Sequence, residues 1–132
     1  MIASKMHDRV GARLFVYGTL LAGERNHRFL AGARLLAPAR TTAAFTLYDL
    51  GAFPALVTGG QHAVSGEVYE IDAAMLAAID GLEGHPNFYR RTPIRLDNDV
   101  VVESYLLAPE QVQCRPVIEC GSWRARGKEL KS

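Results

Sequence analysis

The chain has 132 residues, 48% of them hydrophobic and 22% charged, with a formal net charge of +1. That length suits one domain with a real core, and the near-neutral balance excludes a nucleic-acid or anionic-membrane partner held by bulk charge. No apolar run reaches the roughly 20 residues of a membrane helix, and the 2 cysteines, Cys114 and Cys120, are too few for a disulfide scaffold and fit no zinc spacing.

Residues 1–11 read as a loose lead-in. Lys5, His7, Asp8 and Arg9 stand there without an apolar stretch, so the start does not read as a signal peptide and the expected location is cytoplasmic. Residues 13–17 form a first strand through Phe15, Val16 and Tyr17. The strand breaks into a turn bracketed by Gly18 and Gly23, whose successive N–H groups lack sheet partners and can bind an anion. Residues 24–31 fit a short helix with Phe29 and Leu30 turned inward. Residues 34–39 form a strand ended near Pro38, and 43–48 a better one. Gly51 and Pro54 punctuate a loop over 49–54, and 55–58 is a brief apolar strand ended by Gly59 and Gly60.

Residues 63–71 alternate as a strand, with Gly66 marking a bulge or a close backbone approach. Asp72 then caps a helix over 73–82, with Met75, Leu76, Ile79 and Leu82 as its buried stripe. Gly84 ends it and Pro86 prevents its resumption. Residues 89–96 and 100–107 form a hairpin turned at Asp97, Asn98 and Asp99. Residues 115–119 make a last short strand, and Trp123 anchors a basic tail whose end, 124–132, is loose and solvated. The two cysteines read as free, partly buried thiols. These elements predict a single α+β domain over 1–132: a small mixed, mostly antiparallel β-barrel or strongly curled sheet with flanking short helices.

Glu83 is the sharpest candidate for chemistry. It falls at the C-terminal end of the helix, where negative partial charge gathers, and Asp80 lies one turn back on nearly the same face. Both raise its pKa, burial raises it further, and a carboxylate tuned upward is a better base near neutrality. Tyr89 and Arg91 share one face of their strand: Tyr89 can donate from a pocket wall, and Arg91 can bind a carboxylate or tie down a loop. Other chemistries fit poorly. Glu24 and Arg25 stand where a phosphate loop needs Lys and Ser or Thr, so nucleotide binding by that route is rejected. His7, His27, His62 and His85 have no metal-ligand spacing. Neither cysteine has the surroundings of a thiol nucleophile, and Ser65-Gly66 lacks a nucleophile-elbow frame.

Taken together, the motifs resemble a known family. Phe15-Val16-Tyr17-Gly18-Thr19-Leu20 with Gly23, Asn26 and His27 is similar to the opening of the γ-glutamylcyclotransferase-like proteins, and Ile79-Asp80-Gly81-Leu82-Glu83-Gly84 with Tyr89 and Arg91 to their second signature. Leu47-Tyr48-Asp49-Leu50-Gly51 before Phe53-Pro54, and Gly66-Glu67-Val68-Tyr69, fit as well. The chain looks nearest to the γ-glutamylamine cyclotransferase branch. The resemblance implies a six-stranded or similar mixed barrel and a cofactor-free, metal-free enzyme that cyclises a small γ-glutamyl amide to 5-oxoproline. It implies Glu83 as catalytic acid/base and substrate contacts from Tyr17, Gly18, Thr19, Leu20, Gly51, Tyr89 and Arg91. The leaving amine depends on the pocket mouth, residues 49–53 and 85–88. The alternative is a non-catalytic small-ligand binding or regulatory domain on the same fold.

Overall fold

The structure, a computed structural model, describes residues 10–127. Strand β1 (Val10–Val16) starts earlier than its sequence suggests, taking Val10 and Gly11 from the expected lead-in; residues 1–9 of that lead-in lie outside the described residues. Leu14, Phe15 and Val16 are each at most 2% exposed, so β1 is covered on both faces. A central strand of this kind reads as a continuous apolar run rather than an alternating one.

Strands β2 (Arg34–Arg40), β3 (Phe45–Asp49), β4 (Pro54–Thr58) and β5 (Ser65–Asp72) follow, then helix α1 (Ala73–Glu83) and the hairpin of β6 (Arg90–Arg95) and β7 (Val101–Leu106). They form one sheet in the order β2-β5-β1-β7-β4-β3, with β6 on the other edge of β7. Four pairings are antiparallel, and two, β1 with β7 and β4 with β7, are parallel. The small mixed, mostly antiparallel α+β reading therefore holds.

Closure into a barrel does not. The sheet curls until the ends of β2 and β6 meet, but only through the isolated Thr41–Leu96 bridge, with Thr42 donating to the Arg95 carbonyl at 3.1 Å and Asp97 to the Arg40 carbonyl at 2.9 Å. Without a ladder there, the sheet stays open. The expected flanking helices reduce to α1 and the single 3-10 turns His27–Leu30 and Pro109–Val112. Pro38 does not stop β2; it sits within the strand opposite Glu67. An edge strand tolerates a missing donor on its free side. The strand expected at 115–119 is only a bridge between Tyr48 and Val117. Both cysteines are exposed. The basic tail is partly pinned, since Arg124 pairs with Glu67 at 3.1 Å; residues 128–132 lie outside the described residues.

Two local features fix the frame around the site. Gly66 lies where β5 crosses β1: a side chain there would meet the Val16 carbonyl oxygen and come within 2.6 Å of the Phe15 ring. Asp72 caps α1 by accepting from the Met75 N–H at 2.8 Å, and Gly84 ends it in the left-handed conformation at φ 70°. The helix packs on β1 and β5, and its buried stripe is narrower than expected. Ile79 is fully buried, Met75 and Leu76 are half-buried, and Leu82 is 36% exposed. Ile79 therefore holds the helix to the sheet. Ile79→Ala is expected to cost roughly 2–5 kcal/mol, read as a lower urea midpoint in equilibrium unfolding.

Candidate active site

After β1 the chain stays inside for Tyr17, then reverses direction over residues 18–26. Leu21 donates to the Gly18 carbonyl (3.1 Å), Glu24 to that of Leu21 (2.9 Å) and Asn26 to that of Thr19 (2.9 Å). Asn26 Nδ2 donates to Thr19 Oγ1 at 3.0 Å, and His27 donates from Nδ1 to the Leu20 carbonyl at 2.9 Å. The Asn26-His27 pair thus braces the turn from beneath. Gly18 is needed for space rather than for backbone angle, because a Cβ there would come within 2.5 Å of the Pro54 ring. Gly23 supplies the positive angle, at φ 86°. The backbone N–H groups of Gly18, Thr19 and Leu20 find no acceptor among the described residues.

This turn lines a cavity of about 240 Å³, and so does Glu83. Two regions more than sixty positions apart therefore share one hole. Glu83 is half-buried, and its carboxyl has no hydrogen-bond partner among the described residues. Burial pushes its pKa up to about 7. The expected contributions of the helix terminus and of Asp80 are corrected here: desolvation is the cause.

The tyrosines around the cavity explain why nothing offsets that burial. Tyr17 donates to the Tyr105 carbonyl at 2.5 Å, Tyr89 to the Pro54 carbonyl at 2.6 Å, and Tyr105 to Asp80 Oδ1 at 2.6 Å. Each phenol has one proton to give, and each gives it elsewhere. All three are held neutral well past the usual phenol range, first by burial, then by neighbours: Tyr89 and Glu83 for Tyr17, Glu83 for Tyr89, and chiefly Asp80 for Tyr105.

Asp80 behaves differently from Glu83 one turn later. Arg91 binds it in a fork, Nε to Oδ1 at 3.0 Å and Nη2 to Oδ2 at 3.2 Å. Burial alone would raise the Asp80 pKa, but the hydrogen bonds from Arg91 and Tyr105 outweigh it and hold the carboxyl below its usual range. Arg91 also reaches Glu103 at 3.4 Å. Arg91 therefore acts as a structural tie, joining the last turn of α1 to the sheet.

Of the residues singled out from sequence, Tyr17, Gly18, Thr19, Leu20, Glu83 and Tyr89 line the cavity together. Arg91 and Gly51 do not. Gly51 is exposed, at φ 93°, and donates to Asp49 Oδ1 at 2.7 Å, shaping the loop that brings Phe53 to the cavity. Phe53 and Phe88 come from the two stretches expected at the mouth. Tyr105 and Arg25 also line it and carried no sequence signal of their own. Among the described residues no group of three or more His, Cys, Asp or Glu is placed to hold a metal ion, and no helix is long and apolar enough to cross a membrane.

The family described as gamma-glutamyl cyclotransferase, AIG2-like, matches residues 14–125, from the middle of β1 to just beyond Trp123. The chain belongs to that family. A Vibrio cholerae protein provisionally named a gamma-glutamylcyclotransferase is 41% identical over 113 residues, covering 86% of this chain and 96% of the relative. The rat protein named gamma-glutamylaminecyclotransferase is 39% identical over 94 residues, 64% of this chain and 63% of the relative. Among solved structures, a mouse AIG2-like protein superposes with a TM-score of 0.76 at 29% identity, over 92% of this chain and 93% of the other. These family relatives support a cyclotransferase-type function.

The raised pKa of Glu83 has a consequence for stability. Below about pH 4.5 the carboxyl is protonated in folded and unfolded chains alike. As pH climbs from there through 7, the unfolded chain ionises first and stability falls. Glu83→Gln removes that loss. The variant should match the parent near pH 4 and exceed it by about 1–3 kcal/mol at pH 8, measured by urea unfolding at both pH values.

Proposed function

We propose that the protein cyclises a γ-glutamyl amide to 5-oxoproline and releases an amine, with Glu83 as general acid/base. One observation carries the reading: a carboxyl whose pKa is about 7 shares a small cavity with a turn of unpaired N–H groups.

The chemistry needs little else. The substrate's own α-amino nitrogen is the nucleophile, so no serine or cysteine is required. Its lone pair forms the new C–N bond to the γ-carbonyl carbon, and the original amide C–N bond breaks. The proton lost by the attacking nitrogen passes to the Glu83 carboxylate and from there to the departing nitrogen. Atoms balance without water or any second reactant. Five-ring closure is intramolecular, so holding the chain folded removes several kcal/mol of barrier. The N–H groups of Gly18, Thr19 and Leu20 take the anionic head that every γ-glutamyl amide shares. Neutral tyrosines line the cavity beside the carboxyl without giving it a competing donor.

The test is to incubate the protein with γ-glutamyl amines, γ-glutamyl amino acids and glutathione and to assay 5-oxoproline. Glu83→Gln is expected to lower kcat about 10²–10⁴-fold while circular dichroism stays unchanged. Because the base must be ionised, kcat/KM should fall on the acid side with an apparent pKa of about 7, about tenfold per pH unit below it. A variant as active as the parent removes Glu83 from the reaction.

A further inference from the structure

The cavity, at about 240 Å³, is smaller than the roughly 300–1,000 Å³ of sites that enclose a drug-sized ligand. If it takes a γ-glutamyl head, the leaving group must extend to the rim. Among the described residues, two charged side chains line the cavity, Glu83 and Arg25. Arg25 is exposed, and its guanidinium makes no ion pair or hydrogen bond with any described residue. Its acidic neighbour is engaged elsewhere: Glu24 accepts from Trp123 Nε1 at 3.2 Å. The lining also includes apolar surface open to solvent. Phe88 is 44% exposed and Leu82 36%, and Phe88 meets Phe53 edge-on with ring centroids 6.2 Å apart. An unpaired cation and exposed apolar surface lining the same pocket are free to bind a ligand, because neither is engaged by the fold as it stands.

We infer that Arg25 is a specificity-determining residue that selects leaving groups bearing a carboxylate, so that the substrates are γ-glutamyl amino acids with apolar side chains rather than γ-glutamyl derivatives of simple or cationic amines. This rests on the cyclisation reading above. The substrate's head carboxylate is served by the N–H groups of the Gly18 turn, which leaves Arg25 for the second carboxylate, the one on the departing amino acid. The apolar side chain of that amino acid lies against Phe53, Phe88 and Leu82. A cationic leaving group would face Arg25 with like charge.

The experiment compares kcat/KM for γ-glutamyl-leucine and γ-glutamyl-phenylalanine with their decarboxylated counterparts, γ-glutamyl-isoamylamine and γ-glutamyl-phenethylamine. Parent, Arg25→Gln and Arg25→Lys proteins are used at low and high salt. The parent should favour the carboxylate-bearing member of each pair by about tenfold, equivalent to about 1.4 kcal/mol, and less so at high salt. Arg25→Gln should lose that preference without slowing the decarboxylated substrates, and Arg25→Lys should restore part of it. Equal rates within each pair for the parent would overturn the inference alone. So would a uniform loss across all four substrates in Arg25→Gln, which would place Arg25 on the shared head. No 5-oxoproline from any substrate would overturn the cyclisation reading and this inference with it.

Discussion

The site depends on a carboxyl group that is largely desolvated and has no hydrogen-bond donor among the described residues. Burial by itself is common, and most buried acids are satisfied by an arginine or by backbone N–H groups, which pull the pKa back down. Asp80 shows that ordinary outcome within the same helix: Arg91 and Tyr105 satisfy it, and it stays ionised. Glu83, three residues on, faces phenols whose protons are already committed to the Tyr105 and Pro54 carbonyls and to Asp80. The difference between an acid held ionised and one whose pKa is raised is set here by where three hydroxyl protons point.

Asp80 therefore serves Glu83 indirectly. Its bond from Tyr105 keeps that phenol from donating into the cavity, and its fork with Arg91 fixes the last turn of α1 against β6. Ile79 fixes the same turn from the core side. Glu83 is consequently carried on a helix end held at two points, which fixes the position of its carboxyl on the cavity wall. The raised energy of the ionised carboxyl is sustained by that packing.

Much of this was legible in the residues. The capped helix, its glycine stop and the Asp97-Asn98-Asp99 hairpin followed from local rules that the tertiary structure did not override. Glu83 stood out because an acid at a helix C-terminus breaks one of those rules. What the residues did not disclose is set by distant pairing. β1 lies parallel to β7 through Leu14 and Glu103, and that contact brings Tyr105 to the cavity, yet no short-range pattern encodes it. The fork between Arg91 and Asp80 and the unpaired state of Arg25 are likewise visible only once the chain is folded. Between a barrel and a strongly curled sheet, local sequence does not decide: strand count and spacing constrain curvature, whereas closure depends on whether the two outermost strands make a ladder or, as here, a single bridge.

The last described residues lie back over the first turn. Trp123 is 2% exposed and donates to Glu24, and Arg124 donates to the Ala22 carbonyl and to Glu67. During synthesis, the Gly18 turn leaves the ribosome about a hundred residues before the segment that secures it. Glu83 and its helix are made in between. The pocket is therefore finished only after residues 123 and 124 are made, and a chain cut short of them carries Glu83 and its helix without the contacts that pin the Gly18 turn.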